Sequence, residues 1–125
     1  MEGIFIVGDR KVPTVNFDPA TGKFELKGNS TPENAEMIYQ PIIDLLHEYK
    51  ESPKEVTVFD VQLDYFNTST SKWLLNIFRI LKQLATSGKK VDINWYYDPE
   101  DDDMQESGED YQSILNMAFK MVEKP

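Results

Sequence analysis

The sequence predicts an α/β fold in which helices pack on a mixed β-sheet. Short extended runs near the start, two longer runs rich in β-branched and aromatic residues, and apolar stripes at helical spacing all support this fold class. Along the chain these patterns follow the order β-β-β-α-β-α-β-α, which is typical of parallel strands joined by helices. A length of 125 residues suits a single domain spanning residues 1–125.

The charge and composition of the chain exclude several classes of function. Thirteen Lys and Arg against 22 Asp and Glu give a net charge of −9, which disfavours nucleic acids and anionic membranes as partners. The chain has no Cys, so thiol catalysis and thiolate metal sites are excluded. No apolar run has the length of a signal peptide core or a membrane span, and we therefore expect a cytoplasmic protein.

The first thirty residues predict three short strands. Extended runs occupy residues 4–7, 12–17 and 23–27, and residues 18–22 between the last two read DPATG. Proline presets the backbone for a turn and glycine accepts a left-handed conformation, so this spacing predicts an antiparallel hairpin.

A helix is predicted directly after the third strand. Ser30 and Glu33 have the spacing of a capping box, and Thr31 followed by Pro32 fits an N-cap and a first helical position. The apolar stripe then continues to about residue 50. Pro41 lies inside this stripe and is expected to kink the helix or to split it into two pieces.

The remainder predicts two strands and two helices. Residues 55–63 form the best candidate for a central strand buried on both faces, and a helix follows the polar residues 67–71 and ends at 87–88. Residues 91–97 alternate like a half-buried strand, and the acidic segment 98–110 is expected to be a solvated loop. In the last predicted helix, the core stripe comprises Tyr111, Ile114, Leu115, Ala118, Met121 and Val122.

Acidic residues offer one alternative function, a metal-dependent enzyme. The side chains available for it are Asp60, Asp64, Asp92, Asp98 and the run 100–103. Counting from Asp98 also places oxygen ligands at several positions of a calcium loop, but Asp103 stands where that loop needs glycine. Charge repulsion in a surface loop is the simpler interpretation of the segment.

Three adjacent aromatic residues and one histidine are further candidates for a binding or catalytic site. Trp95, Tyr96 and Tyr97 keep a nucleotide-binding module open as a further alternative, although packing in the core or at the sheet edge is favoured for them. His47 is the only histidine, and it lies off the apolar stripe of its helix. We expect it to be solvated rather than catalytic.

Four hydroxyl groups precede the second predicted helix. Residues 67–71 read NTSTS, and one such side chain is enough to cap a helix. A helix start also tolerates an added phosphate, because its N–H groups and positive dipole face an anion. The residue pattern alone therefore leaves two interpretations open, a simple cap or a phosphoacceptor.

A basic stripe is predicted on that same helix. Lys72, Asn76, Arg79 and Lys82 or Gln83 follow helical spacing on the face opposite the core. Such a stripe is usually a solvated face. Next to the hydroxyl cluster, it is also suited to steer an acidic partner or to pair with a phosphate.

Four segments in order resemble the SiaC family of bacterial regulatory phosphoproteins. Residues 63–71, LDYFNTSTS, are similar to its phosphorylation motif, and residues 28–34, GNSTPEN, to its helix-start motif. The W-Y-Y-D and G-E-D signatures of the family have counterparts at 95–98 and 108–110. The resemblance as a whole extends over nearly the whole chain. The sequence departs from the family pattern at Thr70 and Lys72, which add a hydroxyl group and a basic charge to this segment.

The resemblance implies a STAS-like fold and a phosphorylation-controlled adaptor that is not an enzyme and needs no cofactor. Thr68 matches the family's phosphoacceptor. The implied partners are a protein kinase, a metal-dependent serine/threonine phosphatase and a diguanylate cyclase that the unphosphorylated form activates, with cyclic di-GMP and biofilm formation as output. The expected flanking and partner-binding residues are Asn67, Ser69, Thr70, Ser71, Lys72 and Arg79.

Overall fold

Six strands form one mixed sheet in the computed structural model, which describes residues 1–125, and three helices connect its parallel part. This confirms the predicted α/β class. The strands are β1 (Ile4–Ile6), β2 (Thr14–Asp18), β3 (Lys23–Ser30), β4 (Val56–Phe66), β5 (Lys90–Tyr97) and β6 (Lys120–Glu123). The helices are α1 (Ala35–Tyr49), α2 (Thr68–Thr86) and α3 (Asp102–Leu115). None of the helices combines the length and the apolar composition that a membrane span requires.

The strands lie side by side in chain order. β1, β2 and β3 pair antiparallel, which confirms the predicted hairpin, whereas β3 to β6 pair parallel. Gly22 closes the hairpin with a φ of 74°, a conformation that glycine adopts without strain. Because each helix joins two neighbouring parallel strands, and such crossovers share one hand, the three helices lie on one face of the sheet.

Burial along β4 shows that the second face of the sheet is open. Phe59, Val61 and Leu63 are buried under the helices, while Asp60 and Gln62 between them stay half-buried on the other face. β4 lies between β3 and β5, as expected of a central strand. The prediction that it is buried on both faces was wrong, because no second layer of helices covers the open face.

Phe78 of α2 lies at the centre of an aromatic cluster under the helices. Its ring centroid lies 4.8 Å from that of Phe119 and 5.0 Å from that of Tyr111. Phe59 and Trp95 on the sheet are 5.7 Å and 6.3 Å away. This cluster joins α2, α3 and the sheet, and thereby fixes the position of α2 on the sheet.

The start of α1 differs from the prediction. Ser30 is the last residue of β3, paired with Phe66, and the helix begins at Ala35 after an N-cap, Asn34, whose side chain makes no capping bond. The chain stays extended because pairing with β4 satisfies the backbone of Ser30. The capping-box prediction for 30–33 was therefore wrong.

Pro41 does not split the first helix. α1 runs without interruption from Ala35 to Tyr49 and includes this proline. Buried residues occur on both sides of it, among them Tyr39 and Ile42, so packing into the core stabilises the helix across this position. Pro41 itself is on the exposed face of the helix.

The last predicted helix is two elements in the structure. α3 ends at Leu115, Asn116 adopts a left-handed conformation with a φ of 50°, and β6 then pairs with β5. Asparagine is one of the few residues that accept this conformation, so it ends the helix there. Ile114, assigned to the core by sequence, is 61% exposed, which corrects that assignment.

The acidic segment is only partly a loop. Asp101 is the N-cap of α3, and its Oδ1 accepts a hydrogen bond from the N–H of Met104 at 3.0 Å. Asp102 and Asp103 lie in the first turn, where the positive end of the helix favours carboxylates. The prediction of a loop as far as residue 110 was therefore wrong from residue 102 onwards.

Gly108 lets α3 approach the sheet closely. A Cβ added there would lie 2.6 Å from Cδ1 of Trp95, whose indole N–H donates to the carbonyl of Met104 at 2.9 Å. We expect Gly108→Ala to lower the free energy of unfolding by about 2–3 kcal/mol through overpacking. Urea denaturation measures it, with the exposed Ser113→Ala as control, for which the change should stay within about 0.5 kcal/mol.

Candidate functional site

The hydroxyl-rich turn lies at the edge of the sheet where the parallel strands end. β4 ends at Phe66, Asn67 caps α2, and its Oδ1 accepts from the N–H of Thr70 at 2.9 Å. Thr68 and Ser69 are the first two residues of the helix, so their N–H groups have no acceptor within it. This confirms that residues 67–71 form a helix start.

The structure divides the four hydroxyl side chains into accessible and sequestered groups. Thr68 and Ser69 are exposed. Thr70 is fully buried, and half-buried Ser71 donates its hydroxyl to the carbonyl of Thr68 at 2.6 Å. A macromolecular enzyme can therefore reach Thr68 and Ser69 without unfolding the turn, but not Thr70.

Thr70 belongs to a buried network with Ser30 and Tyr39, which we call the hydroxyl network. Its Oγ1 donates to the carbonyl of Ser30 at 3.0 Å and lies 2.9 Å from Ser30 Oγ, which in turn lies 2.6 Å from the Tyr39 hydroxyl. Sequence reasoning missed this network and assigned Ser30 to a helix cap. No local pattern reveals it, because Ser30 and Thr70 are 40 residues apart.

A second tyrosine holds the same turn from α3. The Tyr111 hydroxyl donates to the carbonyl of Ser71 at 2.8 Å. Burial raises the pKa of Tyr39 to about 12 despite its hydrogen bonds to Ser30 and Thr70. Burial raises the pKa of Tyr111 as well, and the negative charge that Tyr39 carries when it is ionised raises it further. Both phenols are therefore neutral at physiological pH and act as fixed hydrogen-bonding groups.

The raised pKa of Tyr39 predicts a loss of stability at alkaline pH. Unfolding returns the phenol to its usual pKa of 10.0, so its contribution is complete below pH 10 and falls as the pH rises towards 12. We expect the wild type to lose about 2–3 kcal/mol more than Tyr39→Phe between pH 9 and pH 12. Urea titrations of both proteins across this range measure the difference; parallel curves would contradict it.

The predicted basic stripe is present in part. Lys72, Asn76, Arg79 and Gln83 are exposed on α2, but Lys82 is half-buried and donates to the carbonyl of Leu115. The three ion pairs of the chain involve neither Lys72 nor Arg79. Two unpaired cations therefore lie along α2 from the Thr68 turn onwards, on a helix that has no acidic residue.

The acidic residues that could serve a metal-dependent enzyme lie in two places. Asp64 and Asp98 line an open cleft of about 610 Å³ together with residues 100–103 and Lys124, which pairs with Asp64 at 2.8 Å. Asp60 lies on the open sheet face and accepts from the side-chain amide of Asn94 at 2.7 Å. Nowhere in residues 1–125 do three His, Asp or Glu side chains converge as metal ligands.

The three adjacent aromatics do not share one surface. Trp95 and Tyr97 are buried under the helices, as favoured from the sequence, whereas Tyr96 points to the open face. Burial raises the pKa of Tyr96, and the charges of Asp60 and Glu25 raise it further. The trio therefore offers no common stacking platform for a nucleotide. His47 is exposed, as predicted.

The fold and the turn together define a small α/β module with helices on one sheet face and accessible hydroxyls at the start of its second helix. The chain belongs to the SiaC family of regulatory phosphoproteins, because the sequence model of that family matches residues 6–124. This finding confirms the resemblance carried by the four sequence motifs.

Known proteins of Pseudomonas aeruginosa are similar over nearly the whole chain. An uncharacterised protein of strain UCBPP-PA14 is 25% identical over 119 residues, which cover 95% of this chain and 94% of that protein. The crystal structure of apo-SiaC superposes with a TM-score of 0.86 at 24% identity and covers 100% of both chains. A chain in the crystal structure of the diguanylate cyclase SiaD in complex with its activator SiaC gives 0.90 at 24% identity, covering 97% and 99%.

Proposed function

We propose that this chain is a non-catalytic switch in which phosphorylation of Thr68 controls binding to a diguanylate cyclase. A partner kinase adds the phosphate, a metal-dependent serine/threonine phosphatase removes it, and the unphosphorylated form activates the cyclase in the cytoplasm. One observation carries the proposal: Thr68 presents an exposed hydroxyl at the first position of α2, while Thr70 in the same turn is sealed in the core.

The choice between the two accessible hydroxyls rests on the sequence motif. Thr68 and Ser69 are both exposed, and accessibility does not separate them. Residues 63–71 resemble the phosphorylation motif of the family, and Thr68 matches its phosphoacceptor; membership of the family supports that correspondence. Ser69 therefore serves as the natural control position.

A phosphate at Thr68 changes the surface without requiring a new fold. It adds about −1.5 to −2 charges at a helix start, where free N–H groups and the dipole favour an anion. Lys72, one turn further on, has no carboxylate partner and can approach the phosphate. The modification therefore alters the charge that a docking protein meets, and the core stays unchanged.

The cyclase as partner is supported by the relative, because SiaC of Pseudomonas aeruginosa is the activator in a complex with the diguanylate cyclase SiaD. In this chain, the exposed groups around the turn are the residues we assign to that contact. They comprise Asn67, Ser69, Ser71, Lys72 and Arg79, all of them exposed or half-buried. Thr70 was also expected among them, but its complete burial leaves it a structural role.

Phosphate incorporation tests the assignment of Thr68. We expect Thr68→Ala to take up less than about one hundredth of the wild-type phosphate from ATP in an extract of the native host, because the acceptor oxygen is gone. Ser69→Ala should take up the wild-type amount and have the same circular dichroism spectrum. Full incorporation into Thr68→Ala would show that Thr68 is not the acceptor, and loss of incorporation in Ser69→Ala alone would place the site at Ser69.

A further inference from the structure

We propose that Ser30, Tyr39 and Thr70 are positioning residues that hold the first turn of α2 so that the hydroxyl of Thr70 is withheld from phosphorylation and that of Thr68 stays accessible. The proposal rests on the proposed function, in which Thr68 is the phosphoacceptor. None of these three residues touches the kinase or the phosphate. They act by fixing the backbone and by withholding the competing hydroxyl of Thr70.

The hydroxyl network joins three elements in the core. Ser30 ends β3, Tyr39 lies in α1, and Thr70 lies in α2, and each residue is 0% exposed. Ser30 Oγ lies between the other two hydroxyls, 2.6 Å from Tyr39 and 2.9 Å from Thr70. No buried side-chain nitrogen or oxygen of the chain lacks a hydrogen-bond partner, so the network is satisfied as it stands.

The carbonyl of Ser30 holds the turn on both sides of the accessible residues. It accepts from the backbone N–H of Asn67 at 3.1 Å and from the hydroxyl of Thr70 at 3.0 Å. Thr68 and Ser69 lie between these two anchor points and face solvent. The geometry therefore presents only those two residues outward.

Loss of the Ser30 or Tyr39 hydroxyl would weaken the network, although the carbonyl of Ser30 would keep its bonds to Asn67 and Thr70. A kinase needs the acceptor hydroxyl outside the core, which the native turn denies to Thr70. When Ser30 or Tyr39 loses its hydroxyl, the remaining buried hydroxyls lose partners, and opening of the turn becomes less costly. Thr70 is then exposed for part of the time and competes with Thr68 as an acceptor.

The chain contains a matched control at the opposite end of α1. The Tyr49 hydroxyl lies 2.8 Å from Oγ1 of Thr57 and accepts from the N–H of Lys54 at 3.1 Å. Tyr49 and Thr57 are buried, as the members of the hydroxyl network are. Tyr49→Phe thus removes the same group from the same helix and leaves the α2 turn untouched.

Amide hydrogen exchange tests the anchoring without any kinase. We expect exchange of the amides of Asn67, Thr70 and Ser71, which are hydrogen-bonded in the turn, to become roughly tenfold faster in Ser30→Ala and in Tyr39→Phe. Exchange of these amides should stay at the wild-type rate in Tyr49→Phe. Unchanged exchange in the first two variants would overturn the proposal. So would equal acceleration in all three, because the effect would then be general destabilisation.

Phosphopeptide mapping of the same proteins, expressed in the native host, tests the confinement. Wild type and Tyr49→Phe should carry phosphate on Thr68 alone, whereas Ser30→Ala and Tyr39→Phe should also carry it on Thr70. Faster exchange with phosphate still confined to Thr68 would overturn the restricting role. Phosphate on Ser69 in the wild type would instead contradict the proposed function, while the exchange rates would still decide the anchoring.

Discussion

Thr68→Glu is expected to weaken binding to the diguanylate cyclase proposed as partner by roughly tenfold or more, because it places a permanent negative charge in the proposed docking face. The fold should tolerate this charge. Thr68 is exposed at the first position of α2, where a carboxylate is favoured by up to about 1 kcal/mol. Isothermal titration of the purified cyclase measures the affinity, and thermal unfolding measures the stability.

Thr68→Gln is the matched control, since it has nearly the size of glutamate and no charge. It should bind within about threefold of the wild type. The deficit of Thr68→Glu should also change with salt, because screening weakens the interaction of exposed charges. Equal affinities for the two variants would contradict the electrostatic account, and a shared loss would point to side-chain size at position 68.

Phe78→Ala should cause the largest loss of stability. Phe78 is 0% exposed and packs against four other aromatic rings, two on the sheet and two on or after α3. Removing a buried phenylalanine ring costs about 3–5 kcal/mol, a large part of the 5–15 kcal/mol that holds a typical domain. Urea denaturation followed by circular dichroism measures the loss.

Ile114→Ala provides the comparison for that loss. Ile114 is 61% exposed on α3, so its truncation should cost less than about 0.5 kcal/mol. The periodicity of the sequence places this residue in the core, whereas the structure places it in solvent. A loss comparable with that of Phe78→Ala would therefore support the helix predicted from sequence over the observed end of α3 at Leu115.

Hairpin β2–β3 shows what local pattern predicts well. Its alternating residues and the turn at 18–22 are both encoded within a dozen neighbouring positions, and the antiparallel pairing is confirmed. The presence and the end of α2 were also predicted correctly, because its apolar stripe and its stop at 87–88 agree with each other, but the helix begins at Thr68 and includes the hydroxyl residues that were expected to precede it.

The end of α3 shows where pattern alone is ambiguous. Apolar residues at 118, 121 and 122 continue a helical stripe and equally suit a short edge strand. Two features favour the strand: the left-handed conformation of Asn116, which ends the helix, and the free edge of β5, with which β6 pairs. The pairing partner β5 cannot be recognised from the local sequence. The loop prediction for the acidic segment was wrong for a related reason, because carboxylates are common both in solvated loops and at helix starts.

The sequence predicts where the candidate site lies but not how its hydroxyl groups are arranged. The run at 67–71 indicates a helix start rich in hydroxyls, and the structure confirms it. Thr70 is buried in contact with Ser30, which also contacts Tyr39, and both partners come from distant parts of the chain. Contacts of that range follow from the packing of β3 and α1 beside α2, which no local spacing encodes.

Phosphopeptide mapping of the wild-type chain, purified from its native host with phosphatase inhibitors, tests the central claim most directly. A fraction of the protein should carry an added ~80 Da that maps to Thr68 and is absent from Ser69 and Thr70. Phosphate on another residue, or none under several growth conditions, would contradict the claim that Thr68 is the switch.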